Sequence, residues 1–175
     1  MKLRGPIVIT GFMGCGKSQV ARALADRLDL ILIDLDDRIA TQHGRTAAQL
    51  INEEGEPSFR AIEMSTLREV LQSEETSVIA LGGGAWITEA NRELIAAHGG
   101  VAVWLDTPFA VCWQRIEASA EDRPLGRSRL SAEELFNQRR PIYQLAAINV
   151  AVMDHELVGD MVARIEMALA QYEVN

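Results

Sequence analysis

The stretch "PIVITGFMGCGKS", residues Pro6–Ser18, joins an apolar run to a glycine-rich turn that ends in Lys17 and Ser18. Its second part, from Gly11 onward, fits the pattern G-x-x-x-x-G-K-S, which binds phosphate groups when it links a buried strand to a helix. Apolar residues then recur four apart at Val20, Leu24 and Leu28, which is typical of an amphipathic helix. The sequence therefore predicts a phosphate-binding loop between a strand and a helix.

The residue types in this loop suit a triphosphate. Gly11, Gly14 and Gly16 let backbone N–H groups approach phosphate oxygens without a Cβ in the way. Lys17 is one of only two lysines in a chain with 15 arginines. A compact ammonium fits between phosphate groups where a planar guanidinium is too wide. Ser18 is expected to give its hydroxyl to Mg²⁺, which needs few protein ligands because it keeps several waters.

Short apolar runs alternate along the chain with longer segments of helical periodicity. The runs are Pro6–Gly11, Leu30–Asp34, Ser77–Gly84, Val101–Asp106 and Ala147–Met153. This alternation predicts an α/β fold in which helices cover both faces of a parallel sheet. Ligands of such sheets bind beyond the carboxyl ends of the strands. With 175 residues, one domain spanning residues 1–175 is expected.

Composition excludes several classes of protein. A net charge of −8 argues against broad binding to nucleic acid or to acidic membranes. No apolar run approaches the roughly 20 residues of a membrane span, and the N-terminus lacks a secretory cleavage signal. Cys15 and Cys112 are isolated, which is typical of reduced thiols in a cytoplasm, and the three scattered histidines suggest no metal cluster. We therefore expect a cytoplasmic protein.

The segment "LIDLDD" brings carboxylates to the end of the second predicted strand. Asp36 is suited to accept a hydrogen bond from a substrate hydroxyl, and its proton during phosphoryl transfer. Asp34 is suited to hold a water molecule of a Mg²⁺ shell. The alternative is that these acidic residues only cap a helix that begins near Arg38.

Two further segments are candidates for contacts with a small substrate. Arg60 and Glu63 lie three apart on one helix face, so Glu63 can hold a guanidinium that binds a substrate carboxylate through two parallel hydrogen bonds. The alternative is an ordinary surface ion pair. Gly82, Gly83 and Gly84 form a run that is tolerated where a ligand touches backbone. The alternative for this run is an ordinary loop.

Together these segments resemble the shikimate kinase family. The resemblance rests on "GFMGCGKS", "DLD", "FRAIE", "GGGA" followed by "NRELI", "RPL" at Arg123–Leu125 and "RRPIY" at Arg139–Tyr143. It implies a three-layer α/β/α P-loop fold similar to nucleoside monophosphate kinases, with a five-stranded parallel sheet and a mobile lid. It also implies transfer of a phosphoryl group from ATP, with Mg²⁺, to the 3-hydroxyl of shikimate.

The resemblance also implies roles for individual residues. The implied catalytic residues are Asp36, Lys17 and Arg123, the last in a lid at about residues 115–130. The implied nucleotide-binding residues are Gly14, Cys15, Gly16, Lys17, Ser18, Gln19 and Arg123. The implied shikimate-binding residues are Asp36, Arg60, Gly82, Gly83, Gly84 and Arg139, of which the first two lie in an acceptor-binding segment at about residues 34–63. The implied metal-binding residues are Ser18 and, through water, Asp34.

The chain also departs from the family pattern. Gly126 follows "RPL" where a second leucine is usual, and Trp86 follows "GGGA" where a small aliphatic residue is usual. We expect Trp86 to pack in the core rather than face the pocket. The segment "MDHEL" lacks the usual arginine near adenine, and His155 is expected to be exposed. Among the six arginines between residues 115 and 140, a solvated basic face is expected to include Arg115, Arg127 and Arg140.

Other functions remain open at this level. The fold also suits a kinase of another small polyol acid such as gluconate, because fold does not fix function. A catalytically silent nucleotide-binding module is a second alternative, although such a module has no need for Lys17, Ser18, Asp36 and Arg123 together. A GTPase is disfavoured because no N-K-x-D sequence occurs. Short loops and a charged surface favour a monomer.

Overall fold

The computed structural model describes residues 5–72, 76–119, 128–153 and 156–172. Within these ranges the strands are β1 (Ile7–Thr10), β2 (Ile31–Asp34), β3 (Ser77–Ala80), β4 (Val101–Asp106) and β5 (Ile148–Ala151). The α-helices are α1 (Lys17–Leu28), α2 (Leu35–His43), α3 (Ala47–Glu54), α4 (Glu56–Leu71), α5 (Glu89–Ala97), α6 (Phe109–Ala118), α7 (Arg129–Tyr143) and α8 (Val158–Tyr172). A short 3₁₀ helix spans Ala85–Ile87.

The five strands form one parallel sheet in the order β2-β3-β1-β4-β5. Strand β1 is central, and Ile9 pairs with Ala80 of β3 and with Val103 of β4. All four residues of β1 are buried, which requires cover on both faces of the sheet. The predicted α/β fold with a five-stranded parallel sheet is thus confirmed.

Strand order explains why segments far apart in sequence meet. Strands β1, β3 and β2 are neighbours and parallel, so their carboxyl ends lie at the same edge of the sheet. The predicted phosphate loop follows β1, the glycine run Gly82–Gly84 follows β3, and Asp34 ends β2. All three candidate segments therefore converge at one place.

The structure corrects the expected start of α2. This helix begins at Leu35, not near Arg38, because the Asp34 carboxylate caps it by accepting hydrogen bonds from the backbone N–H groups of Asp36 and Asp37. Asp36 and Asp37 consequently lie in the first turn of a helix rather than at the end of a strand. Helix capping, the alternative role for these acidic residues, is thus performed by Asp34. The Asp36 side chain does not take part in the cap.

The phosphate loop is anchored to the core by an aromatic cluster. Phe12, which is 1% exposed, packs edge-on against Phe136 of α7 with ring centroids 5.2 Å apart, and its centroid lies 6.5 Å from that of Phe109 in α6. The loop is therefore tied to the helices that flank residues 120–127. None of the helices described here has both the length and the apolarity to cross a bilayer.

Candidate active site

The phosphate loop has the backbone conformation that the glycine pattern predicts. Gly14 and Gly16 have φ angles of 75° and 98°, which residues with a Cβ rarely adopt. A Cβ on Gly14 would also lie 2.6 Å from the Cys112 carbonyl oxygen, so a side chain there has no room. Helix α1 begins immediately afterwards, at Lys17, so its free N–H groups face the loop.

Lys17 lies over this loop. Its Nζ donates a hydrogen bond of 2.9 Å to the Phe12 carbonyl and lies 3.7 Å from the Cys15 sulfur. Cys15 is 1% exposed, so its thiol is not accessible to a ligand. Ser18 and Gln19 are exposed in the first turn of α1. The residues from Gly11 to Gln19 form what we call the nucleotide side of the site.

Ser18 and Asp34 meet across this edge of the sheet. The Ser18 hydroxyl donates a hydrogen bond of 2.7 Å to Asp34 Oδ2. A hydroxyl beside a carboxylate is a donor set of hard oxygens, which is the kind of ligand that Mg²⁺ prefers. Among the described residues no group of three or more histidine, cysteine, aspartate or glutamate side chains is suited to a metal. These two residues fit a Mg²⁺ ion that is held mainly by phosphate and water.

Asp36 faces the same space from the first turn of α2. The pKa of its carboxyl group is raised from 3.8 to about 6, chiefly by burial and next by the nearby Asp34 carboxylate. Lys17 and Arg60 oppose this shift by stabilising the ionised form. Asp36 thus lies within electrostatic reach of both the phosphate loop and the predicted substrate arginine. Such a carboxylate is suited to act as a base near neutral pH.

Arg60 is held by two carboxylates of its own helix. Its Nη1 donates hydrogen bonds of 2.9 and 2.8 Å to the two oxygens of Glu63, and its Nη2 donates one of 2.9 Å to Glu56. Glu63 is completely buried, and this burial raises its pKa to about 7 although the Arg60 guanidinium stabilises its ionised form. The arrangement is a buried ion pair rather than the surface pair that was the alternative.

The glycine run provides the space that these side chains occupy. A Cβ on Gly82 would lie 2.8 Å from Asp36 Oδ1 and 3.2 Å from Glu63 Oε1, and a Cβ on Gly84 would collide with the Arg60 guanidinium. A Cβ on Gly83 would lie 3.4 Å from the Met13 backbone nitrogen in the phosphate loop. The run is therefore packed between the phosphate loop and the charged side chains, which explains why all three positions are glycine.

Arg139 reaches the run from α7. It is 8% exposed, and its Nη1 donates a hydrogen bond of 3.2 Å to the Gly83 carbonyl. Its positive charge also stabilises the ionised form of Glu63. The acceptor side of the site, as we define it, consists of Asp36, Arg60, Glu63, Gly82, Gly83, Gly84 and Arg139. Both sides meet at Gly83, which neighbours Met13 of the phosphate loop and accepts the hydrogen bond of Arg139.

Comparison with known proteins decides which family this geometry belongs to. The family described as "Shikimate kinase" matches residues 13–170. The chain belongs to the shikimate kinase family. The shikimate kinase of Thermobifida fusca is 37% identical over 168 residues, which cover 94% of this chain and 96% of the relative. The resemblance that the motifs predict is thus confirmed.

Solved structures agree with this family assignment. A shikimate kinase from Acinetobacter baumannii in complex with shikimate is 28% identical, with a TM-score of 0.89 over 98% of this chain and 96% of that one. A gluconokinase from Sinorhizobium meliloti is 19% identical, with a TM-score of 0.64 over 97% of this chain and 98% of that one. The second likeness concerns the fold alone.

Three predicted features of this shikimate kinase family member lie outside the described residues: Arg123 and Gly126 of the lid, Arg127 of the basic face, and His155. Trp86 packs in the core as expected, since it is 5% exposed. Its indole N–H also donates a hydrogen bond of 3.1 Å to the Ile142 carbonyl, which the sequence did not predict. The interpretation in which Trp86 faces the pocket is therefore wrong.

The two described members of the expected basic face, Arg115 and Arg140, are exposed as predicted, but each also has a polar partner. Arg115 is exposed, but its Nη1 donates a hydrogen bond of 3.3 Å to the Gly14 carbonyl in the phosphate loop. Arg140 is also exposed, and it pairs with Asp106 at 2.9 Å. The contact between Arg115 and the phosphate loop was not predicted, because nothing in the sequence shows that α6 lies against the loop.

Two more residues of the site were missed. Glu56 holds Arg60, and its spacing of four residues from Arg60 was a usable signal. The Tyr143 hydroxyl donates a hydrogen bond to the Gly83 carbonyl, which already accepts one from Arg139. Tyr143 follows Arg139 by four residues, so both side chains lie on one face of α7.

Proposed function

We propose that this chain transfers the γ-phosphoryl group of ATP to the 3-hydroxyl of shikimate, giving shikimate 3-phosphate and ADP. The observation that carries this proposal is the position of Asp36, within electrostatic reach of both Lys17 and Arg60 and beside Gly82. Asp36 would then lie between the phosphate donor, bound by the loop, and the acceptor, whose carboxylate is bound by Arg60. Membership of a kinase family implies ATP as the donor.

Each side of the site has a distinct task. Backbone N–H groups from Gly14 to Gln19 bind the phosphates, and Lys17 neutralises their charge. Arg60 and Arg139 bind the carboxylate of shikimate and thereby orient the ring. Its 3-hydroxyl then points towards Asp36 and the γ-phosphorus. We assign Arg123 to the lid and to the charge that develops on the transferred group.

The reaction needs one proton acceptor. The 3-oxygen of shikimate forms a bond to the γ-phosphorus while the bond from that phosphorus to the bridging oxygen of ADP breaks, and the hydroxyl proton passes to Asp36. Ser18 and, through water, Asp34 would hold Mg²⁺, which would neutralise charge on the phosphate oxygens when bound. Lys17 and Arg60 keep Asp36 ionised before the transfer because each opposes the rise in its pKa.

The proposal extends to setting and assembly. The described cysteines, Cys15 and Cys112, are free thiols, which supports a reducing cytoplasm. We propose a monomer on the ground of the short loops and the charged surface. Small-molecule substrates, rather than nucleic acid or membrane, fit the net charge of −8. Sedimentation of the purified protein with and without ATP and shikimate tests the monomer.

A substrate panel tests the function. Purified protein is incubated with ATP and Mg²⁺ and with shikimate, quinate or gluconate, and both ADP release and the phosphorylated product are measured. We expect turnover on shikimate at least about a hundredfold above the other acids, because Arg60 and Arg139 fix a ring carboxylate. Preferred turnover on gluconate would instead identify another polyol acid kinase, and no ADP release with any acid would identify a silent module.

A further inference from the structure

Three hydrogen bonds join the end of α7 to the segment that follows β3. Arg139 and Tyr143 both donate to the Gly83 carbonyl, and the Trp86 indole donates to the Ile142 carbonyl. A carbonyl oxygen has two lone pairs, so Arg139 and Tyr143 together use the full accepting capacity of Gly83. We call this pair of hydrogen bonds the Gly83 contact.

One backbone hydrogen bond is missing near the end of α7. Pro141 lies inside α7, and it lacks the N–H that would complete the hydrogen bond to the Asn137 carbonyl. Contacts outside the helix therefore add to the backbone hydrogen bonds, such as that of Gln144 to the Arg140 carbonyl, in holding this end of α7. Among the described residues, the two hydrogen bonds of the Gly83 contact and the hydrogen bond of the Trp86 indole connect this final turn of α7 to the segment after β3.

Tyr143 is well placed to fix this turn. It is 1% exposed, and its ring stacks on Trp104 of β4 with centroids 6.2 Å apart and an interplanar angle of 17°. The phenol therefore has little freedom to rotate away from Gly83. Burial raises its pKa, so the hydroxyl keeps its proton and remains a donor at every pH where the enzyme works.

Gly83 connects this contact to the phosphate loop. A Cβ on Gly83 would lie 3.4 Å from the Met13 nitrogen and 3.8 Å from the Gly11 oxygen, so its backbone packs directly against the loop. A shift of the Gly83 carbonyl would consequently move Arg139 relative to the phosphates. Transfer between two bound substrates is sensitive to displacements of about 1 Å.

We propose that Tyr143 and Trp86 are positioning residues for the acceptor: they hold Gly83 and the end of α7 so that Arg139 meets the substrate carboxylate at a fixed distance from the phosphate loop. Both side chains are buried, at 1% and 5% exposure, so we expect them to act through Gly83 and α7 and not by direct contact with the substrate. The inference rests on the proposed function, because it takes Arg139 and Gly83 as parts of the acceptor side.

Tyr143→Phe tests the inference with the removal of one hydroxyl group. The matched control is Tyr172→Phe, which alters an exposed tyrosine in α8. We measure the dissociation constant of shikimate by calorimetry and the steady-state constants for both substrates. For Tyr143→Phe we expect the shikimate Kd and KM to rise roughly five- to tenfold, the range for losing one hydrogen bond, with the KM for ATP unchanged within twofold. The control should match the unaltered protein.

Trp86→Phe tests the second hydrogen bond while retaining an aromatic ring. We expect a smaller rise in the shikimate KM, roughly two- to fourfold, again with little change for ATP. Trp113→Phe is the control, since Trp113 stacks on Phe109 and not on α7. The double variant Tyr143→Phe, Arg139→Lys should raise the shikimate KM by less than the product of the two single increases. The two effects are not independent, because both residues donate to the Gly83 carbonyl.

Arg139→Ala separates this inference from the proposed function. If Arg139→Ala greatly raises the shikimate Kd while Tyr143→Phe leaves that Kd unchanged, the positioning role of Tyr143 is overturned. The assignment of Arg139 to the acceptor side then still stands. Unchanged shikimate binding by Arg139→Ala overturns the acceptor assignment and the inference together. Tyr143 would be only a structural residue if Tyr143→Phe raised the KM values for ATP and shikimate equally. The same conclusion would follow if it lowered the Tm and left both KM values unchanged.

Discussion

The nucleotide side and the acceptor side of this site lie next to each other but are built in different ways. The nucleotide side comes from one continuous stretch, Gly11–Gln19, and mostly presents backbone groups at the start of α1. The acceptor side is assembled from α2, α4, the segment after β3, and α7, and it depends on charged side chains. On the proposed function, phosphate binding depends on one continuous sequence motif. Recognition of the acceptor depends on side chains that several separate elements bring together.

Replacement of Asp36 tests the acceptor side most severely. For Asp36→Asn we expect kcat to fall by roughly a hundred- to ten-thousandfold, because the amide cannot accept the hydroxyl proton. Binding of both substrates should persist, which calorimetry can verify alongside the coupled assay of ADP release. The neighbouring exposed carboxylate supplies the control Asp37→Asn, which should keep most activity. A kcat within tenfold of normal for Asp36→Asn would rule out its role as the base.

Removal of Lys17 tests the nucleotide side. For Lys17→Ala we expect kcat to fall by roughly a hundred- to a thousandfold and the KM for ATP to rise, because the developing phosphate charge loses its closest cation. Arg22→Ala, which removes an exposed cation from the same helix, is the control. If Lys17→Ala weakened shikimate binding more than ATP binding, the assignment of Lys17 to the nucleotide side would be wrong.

Arg60 should affect mainly the acceptor. For Arg60→Ala we expect the shikimate KM to rise roughly ten- to a hundredfold, the range for losing charged hydrogen bonds, while the KM for ATP changes little. Arg45→Ala is a matched control, since Arg45 also pairs with two glutamates but lies on the surface. Weaker ATP binding with normal shikimate affinity would reverse the assignment of Arg60.

The pH profile sharpens the comparison without any mutation. The pKa of Asp36 is about 6 and only its ionised form accepts a proton, so kcat/KM for shikimate should fall about tenfold per pH unit below that value. Backbone N–H groups of the phosphate loop do not titrate, whereas Glu63, whose pKa is raised to about 7, adds a second acid limb above that of Asp36. Steady-state rates between pH 5 and 8 provide the measurement. An acid limb centred near pH 4 would mean that Asp36 is not perturbed or not the base.

The smallest effect is on stability. The folded state raises the pKa of Asp36 from 3.8 to about 6, so its contribution to stability is full below pH 4 and is lost as pH rises through 6. At pH 8 we expect Asp36→Asn to be more stable than the unaltered protein, by about 1–3 kcal/mol. Urea unfolding at pH 8 and pH 5 measures this, and the gain should shrink at pH 5. Lower stability of Asp36→Asn at pH 8 would contradict it.

Sequence reasoning succeeded where the signal was local. The phosphate loop, the five strands and the Arg60–Glu63 pair each depend on residues close together in the chain, so spacing alone predicted them. The start of α2 was wrong because Asp34 ends β2 and caps the helix at once, which leaves no linker to mark the boundary. Assignment of Arg139 to shikimate binding came only from the family resemblance.

Contacts between distant segments could not be predicted from one sequence. The hydrogen bonds of Tyr143 to Gly83 and of Trp86 to Ile142 join residues 60 and 56 positions apart. Arg115 meets Gly14 across 101 positions. Nothing in the pattern of apolar and charged residues states which helix face meets which loop, because several packings bury similar apolar area. These contacts became visible only with the fold.

The packing of the glycine run limits how this enzyme can acquire new acceptors. Any side chain at Gly82 would meet Asp36 and Glu63, and any at Gly84 would meet Arg60. Laboratory evolution towards other hydroxy acids should therefore accept almost no change within the run. Adaptive substitutions should instead accumulate in the surrounding helices, where altered side chains can reshape the cavity without displacing the reactive carboxylate.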